Sequence, residues 1–356
     1  MDEITAITEQ TGQETSPIEV QPQLWETARI NITDDDEESI PVIWVHGVAI
    51  GTFGNFSASI GKAKSKKTFN VSAMVATAIS DNRALNYDVD LPEGRDKILY
   101  VDTEQGKSHC LRVFRRILKL AGLPQDSECD KLIFLSLRKY KPEERIRIIE
   151  DAITNINGIG LVVIDGVRDL LYDINSPSEA TEIISKLMKW TDEHQFHLHT
   201  ILHQNKADEN ARGHIGTEIN NKAETVIQVE KDKDDSDIST VLPIHTRAAE
   251  FEPFAFRINE DALPELASDY EFHKAKPGRP KKEIHEEYTV EQHKTALAKV
   301  FPTEDTTLGF GALLKGLMEA YGVGGNKAGK IRDYHINKRI ICHEGRKYYL
   351  NPLRHF

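Results

Sequence analysis

Apolar positions along the chain switch between two rhythms, and the switching predicts alternating strands and helices. Residues 54–60 (GNFSASI) read as a strand and 69–79 (FNVSAMVATAI) as an apolar helix. The strand 97–104 (KILYVDTE) precedes an amphipathic helix over 107–121. The strand 131–137 (KLIFLSL) precedes a helix over 141–155, with Ile146, Ile148 and Ile149 as its apolar positions. GLVVID at 160–165 reads as a strand buried on both faces, followed by a helix over 178–194 and the strand HLHTILHQ at 197–204. Such alternation predicts an α/β fold, a mostly parallel sheet with helices on both faces. After Ala223 the rhythm changes, and 225–229, 240–246 and 254–258 read as consecutive, largely antiparallel strands that extend the sheet.

The flanks differ from this middle. Residues 1–39 carry Asp34-Asp35-Asp36-Glu37-Glu38 and other acids against the single base Arg29, which predicts a mostly disordered leader with the segment around Trp25 docking on the body. A main domain over 40–262 is followed by a basic, Pro-rich linker over 263–286. Within it Pro277-Gly278-Arg279-Pro280 resembles an AT-hook, which would place Arg279 in a narrow minor groove; a stiff linker explains the same residues. Over 287–356, helices at 289–300, 310–321 and 327–338 lead into a small β-hairpin, an order that resembles a winged helix. Its third helix would present Lys327, Lys330 and Arg332 to DNA and its wing Arg346 and Lys347. The alternative is a winged helix that docks on protein.

Charge is uneven. The chain of 356 residues has a formal net charge of −12, yet from Lys274 onward sixteen Lys and Arg stand against nine Asp and Glu. The acidity belongs to the leader and middle, and the tail is basic. No apolar run approaches a membrane span, and the N-terminus lacks the basic and apolar regions of a signal peptide. Cys110, Cys129 and Cys342 are scattered without metal-like spacing, which suits a reducing cytoplasm.

The candidate chemistry centres on Gly61-Lys62-Ala63-Lys64-Ser65-Lys66-Lys67-Thr68. It matches the phosphate-loop pattern G-x-x-x-x-G-K-[ST] except at its sixth position, where Lys66 replaces glycine. Gly61 opens the loop, Ser65 and Lys66 line it, Lys67 reaches the β- and γ-phosphates, and Thr68 ligates Mg2+. Strand, loop and helix N-terminus come in the order an anion needs. The competing reading is a solvated basic turn. Downstream strand ends favour the nucleotide. Asp165 closes a strand where a carboxylate would hold the metal, although such a residue also caps turns. Glu104 is the general-base candidate, with Asp102 competing for that role, and Gln204 is an amide able to orient water.

This series of motifs resembles the RecA-like core of the RecA/DnaB superfamily, closest to the hexameric RepA-type replicative helicases of plasmids and mobile elements, over roughly residues 40–259. The resemblance implies that Glu104, Asp165 and Gln204 take the family's strand-end roles. It implies ATP and Mg2+ as ligands and a homo-oligomeric ring. It also implies that Arg247, in His245-Thr246-Arg247, is an arginine finger for the neighbouring subunit; an ordinary exposed arginine is the alternative. Single-stranded DNA would run along loops 166–177 and 205–216, the second carrying Lys206 and Arg212. The expected function is a DNA helicase or replication ATPase, against an ATP-gated regulator, loader or mobilisation accessory protein. Two residues depart from the family, Lys66 and His245. A lysine at 66 fits if its dihedrals are ordinary, and its charge would then add to the anion field.

Overall fold

A computed structural model of the chain describes residues 24–33, 39–204, 213–247, 249–272, 287–303 and 305–352. It comprises two units, Met1–Glu38 and Ser39–Phe356. The first holds one helical turn, α1 (Leu24–Thr27), on which Trp25 is exposed.

The second unit opens with β1 (Pro41–Val45), β2 (Val48–Thr52) and β3 (Phe56–Gly61), then α2 (Lys67–Ile79) and β4 (Tyr87–Val89). Alternating units follow: β5 (Lys97–Asp102), α3 (Lys107–Leu120), β6 (Leu132–Ser136), α4 (Pro142–Asn155), β7 (Ile159–Asp165), α5 (Pro177–His194), β8 (His197–His203) and α6 (Gly213–Lys222). The late strands are β9 (Thr225–Lys231), β10 (Ser239–Thr246), β11 (Phe254–Ile258) and β12 (Pro264–Leu266). These build a nine-stranded sheet in the order β12-β11-β10-β9-β3-β8-β7-β5-β6. From β9 to β6 every pairing is parallel, while β10, β11 and β12 are antiparallel. The strand β9, expected among the antiparallel ones, thus runs parallel to β3 and antiparallel to β10.

Period-two patterning explains why the sheet is covered on both faces. On β7, Leu161 and Val163 point into one apolar cluster, with Val71, Met74 and Ile117 of α2 and α3. Val162 and Ile164 point into the other, with Ile149, Ile184 and Ile219 of α4, α5 and α6. Each such fully buried aliphatic side chain stabilises the fold by roughly 1.5–3 kcal/mol. The polar side of β3 is buried too. Ser57 and Ser59 hydrogen-bond the rings of His197 and His199 at 2.7–2.8 Å, so no polar group of this quartet faces apolar surroundings alone.

Two parts of the fold were not expected from the periodicity. A second sheet, β2-β1-β4, covers α2. Helix α6 begins at Gly213, within a predicted loop, so Gly216 is a buried helical residue.

The tail forms α7 (Val290–Val300), α8 (Phe310–Tyr321), α9 (Gly325–Asn337) and the hairpin β13 (Ile341–Glu344) and β14 (Lys347–Leu350). It shares its core with the small sheet: Trp44 of β1 meets Phe310 edge-on, ring centres 4.8 Å apart. Among the described residues no helix is long and apolar enough to cross a membrane.

Candidate nucleotide site

The carboxyl ends of β3, β5, β7 and β8 lie side by side, which is where open parallel sheets bind ligands. They frame a cleft of about 360 Å³ lined by the phosphate-loop residues, Glu104, Asp165, Arg168 and His203. Gly61 has to be glycine: a Cβ there would run into the Val229 carbonyl, because β9 passes against the loop. Lys67 is the first residue of α2, with Nζ donating to the carbonyls of Gly61 at 2.8 Å and Lys62 at 2.9 Å. Ser65 is buried beside it, with Oγ 3.5 Å from Nζ. Burial lowers the Lys67 pKa to about 8, against the opposing pull of Asp165 and Glu104.

Thr68, one residue into α2, donates from Oγ1 to Asp165 Oδ2 at 3.0 Å, and the Tyr100 hydroxyl donates to the same oxygen at 3.0 Å. Burial pushes the Asp165 carboxyl up to about 7, helped by the charge of Asp102, while the two hydroxyl donors pull the other way. Asp102 and Asp165 are register partners on adjacent strands. Asp102 does not share a surface with Glu104. Its Oδ1 accepts the N–H groups of Glu104 at 3.0 Å and Gln105 at 2.7 Å, and so it shapes the turn that presents Glu104.

Glu104 lies past the end of β5, where Nε2 of His203 is 3.4 Å from its Oε1. His203 Nδ1 lies 3.3 Å from Lys67 Nζ. Lysine can only donate, so Nδ1 is the acceptor and the ring proton sits on Nε2, facing Glu104. The His203 contact, ahead of the Lys67 and Arg168 charges, holds the Glu104 carboxyl below its ordinary range against the opposing effect of burial. A continuous Lys67–His203–Glu104 chain therefore joins the loop to the general-base candidate. Sequence reasoning singled out Gln204 instead. Its side chain is buried and its N–H bonds Gly61 O at 3.0 Å, so it ties β8 to the loop, and its neighbour reaches the cleft. The signal available in the sequence was the strand's alternation, which puts consecutive residues on opposite faces.

Lys66 departs from expectation. Its φ of 68° and ψ of 25° are left-handed, the conformation for which glycine is used at this position. Its Nζ donates to the Asp237 carbonyl at 2.7 Å, so the extra charge is tied to the loop after β9. A lysine in this region costs roughly 1–2 kcal/mol. Lys66→Gly is therefore expected to stabilise the protein by about 1 kcal/mol in urea denaturation and to free the loop. Destabilisation by the same substitution would show that the Asp237 contact outweighs the backbone strain.

Arg247 is exposed at the end of β10 next to Thr246, the register partner of Thr225. Thr225 also pairs with Ser57 near the start of β3, whereas the phosphate loop leaves the other end of that strand. Arg247 thus sits at the opposite rim of the sheet from its own loop, with a hydrogen bond from Nη2 to Lys222 O at 3.3 Å.

The tail residues expected to face DNA are placed differently. Arg332 is 1% exposed and pairs with Asp88 of β4 at 3.0 Å and with Asp333 at 2.7 Å. Arg346 donates to Leu91 O and to Ala78 O in the last turn of α2. Both face inward because the Asp88 carboxylate of β4, the Leu91 carbonyl just after that strand and the Ala78 carbonyl of α2 supply acceptors. Lys330 pairs with Glu252 at 2.7 Å and Lys327 with Glu287, whereas Lys347 is exposed. Lys206, Arg212 and Arg279 lie outside the described residues.

Residues 35–209 match the family model of an AAA domain, a stretch that contains the loop, Glu104, Asp165 and His203. No curated protein matches the chain. Among solved structures the chain is similar to the RadB recombinase, with 15% identity and a TM-score of 0.43, over 59% of this chain and 90% of that one. The strand–loop–helix around Lys67 and the sheet order agree with the family match on a P-loop type of α/β fold, a mostly parallel sheet with the loop at its strand ends.

Proposed function

We propose that this chain is an ATP-dependent DNA motor, a ring-forming replicative helicase or ATPase of a plasmid or mobile element. The observation that carries the reading is the convergence of Lys67, Thr68, Asp165, His203 and Glu104 at neighbouring strand ends. The oxygen donors fit Mg2+. Thr68 Oγ1 and Asp165 Oδ2 already touch, and this ion needs only one or two protein oxygens beside phosphates and water. When bound, Mg2+ supplies charge neutralisation at the phosphates.

The chain's own residues account for the rest. Lys67 holds the β/γ-phosphate region, helped by the N-terminus of α2. Glu104 stays ionised at neutral pH and accepts the proton of the attacking water, held in place by the Nε2–H of His203. Arg247 serves the neighbouring subunit's phosphates, a reading its place on the far rim supports, and in this way a ring completes each site. Lys206 and Arg212, with Arg279 in the linker and the exposed Lys347, would neutralise DNA phosphates without reading sequence. The free Cys110, Cys129 and Cys342 suit the reducing cytoplasm.

The strained, tethered Lys66 favours a second reading, an ATP-gated DNA regulator, loader or mobilisation accessory protein with slow turnover. Hydrolysis with and without single-stranded DNA, alongside a strand-separation assay, divides the two. Stimulation of roughly tenfold or more with unwinding supports the motor, and Glu104→Gln should then lower turnover by about 10²–10⁴-fold. Nucleotide-dependent duplex binding without unwinding supports the regulator.

A further inference from the structure

The turn after β7 carries a guanidinium that the mechanism above leaves unused. Gly166 has a φ of 105°, and a Cβ there would strike Thr103 Oγ1 and the Glu104 side chain. Glycine therefore lets the chain fold back against the end of β5 and start a short 3₁₀ turn, Val167–Leu170. That turn is locked from behind. Arg145 of α4 donates to the Asp169 carbonyl at 2.5 Å, and Thr103 donates to the Asp169 carboxylate at 3.2 Å. On this fixed turn Arg168 lines the cleft beside Glu104 and His203.

Its side chain is under-used. Of five N–H donors the guanidinium makes one hydrogen bond among the described residues, Nη1 to Asp169 Oδ1 at 3.3 Å. Its Nε is buried with no partner among the described residues, and the side chain as a whole is 42% exposed. Buried donors of this kind are ordinarily satisfied. Among the described residues, three other cations are directed elsewhere: Lys66 is turned to Asp237, Arg247 is on the opposite rim, and Arg116 lies 3.6 Å from the centre of the Phe69 ring.

We infer that Arg168 contacts the γ-phosphate in cis, so that each protomer supplies one arginine to its own nucleotide beside any arginine received from its neighbour. The inference rests on the nucleotide reading above and adds a residue to the same site. A guanidinium at this point discriminates triphosphate from diphosphate, because its forked donors meet oxygens that only the triphosphate has.

The test compares wild type, Arg168→Gln and Arg168→Lys as full-length proteins, by calorimetric titration with ATPγS and with ADP in Mg2+. Arg168→Gln should lose roughly 10- to 100-fold in ATPγS affinity, with ADP affinity within about twofold of wild type. Arg168→Lys should recover part of the loss. Equal thermal unfolding of the variants and unchanged ADP binding exclude misfolding as the cause. Parallel losses for both nucleotides overturn the inference. So does an unchanged ATPγS-to-ADP ratio with weakened single-stranded DNA binding, which would place Arg168 on the DNA. A wild type that binds neither nucleotide sinks the nucleotide reading itself, an outcome distinct from a wild type and Arg168→Gln that discriminate equally.

Discussion

Asp165→Asn is expected to yield a protein that has lost Mg2+-dependent hydrolysis yet unfolds at higher denaturant than the parent when the metal is absent. Both effects have one cause. Asp165 is 7% exposed, pairs in register with the carboxylate of Asp102, and has Glu104 nearby. Burial and these charges raise its folded pKa to about 7 from 3.8. The folded chain therefore keeps a proton that the unfolded chain releases between these values. Stability of the metal-free protein falls as pH rises through that window, and the loss stays in force above it. Asparagine keeps the hydrogen-bonding shape without the charge, so at pH 8 it should raise stability by an amount on the order of 2 kcal/mol. At pH 4 the gain should vanish. Turnover should drop by about 10²–10³-fold, since a neutral amide is a poor partner for a divalent cation at the site of developing charge. Urea titrations at the two pH values, with steady-state hydrolysis, check both halves. A variant less stable at pH 8 would mean that the Thr68 and Tyr100 hydrogen bonds outweigh the charge crowding.

The largest stability loss should follow Arg332→Ala. Arg332 is buried between Asp88 of β4 and Asp333, and its cationic form is held through both carboxylates despite the opposing effect of burial. It also lies over the Phe310 ring, 4.9 Å from its centre. Removing it leaves Asp88, itself 6% exposed, with the partly exposed Arg83 at 3.1 Å as its remaining ion-pair partner among the described residues. Breaking a buried pair from one side costs roughly 3–5 kcal/mol. The expected result is a large drop in urea midpoint, and the Arg332→Ala, Asp88→Ala double variant should recover part of it, since the stranded charge is gone. A loss below about 1 kcal/mol would instead mark Arg332 as a surface residue available to DNA.

These two sites also show where the sequence was readable. The β5, β7 and β8 strands and helices α2 to α5 were legible because their apolar periodicity is strong and both sheet faces are covered. Lys67, Thr68 and Asp165 were legible because a phosphate loop and a strand-end acid have fixed places in such a sheet. His203 and Gln204 fall on opposite faces of β8 by period-two alternation, and it is His203 whose ring lies 3.4 Å from Glu104. The direction of Arg332 and Arg346 could not be read from their own segment. Their acceptors, Asp88, Leu91 and Ala78, lie some 250 residues away in sequence and belong to β4, the segment just after it and the end of α2. A basic helix face looks the same whether it meets a nucleic acid or the carboxylate of a distant strand. Lys66 was read from its charge, whereas its left-handed backbone is set by the loop that has to close around Lys67.

The contact of Arg346 with the last turn of α2 adds a mechanical consequence. One helix carries Lys67 and Thr68 at its N-terminus and receives the tail hairpin at Ala78, so the phosphate loop and the tail share a rigid element.

The central claim is that these strand ends hold a triphosphate, and Lys67→Ala tests it most directly. Mg2+-dependent ATP hydrolysis should be measurable for the parent and reduced at least about 100-fold in a variant whose thermal unfolding is unchanged. Equal turnover by the two proteins would contradict the account.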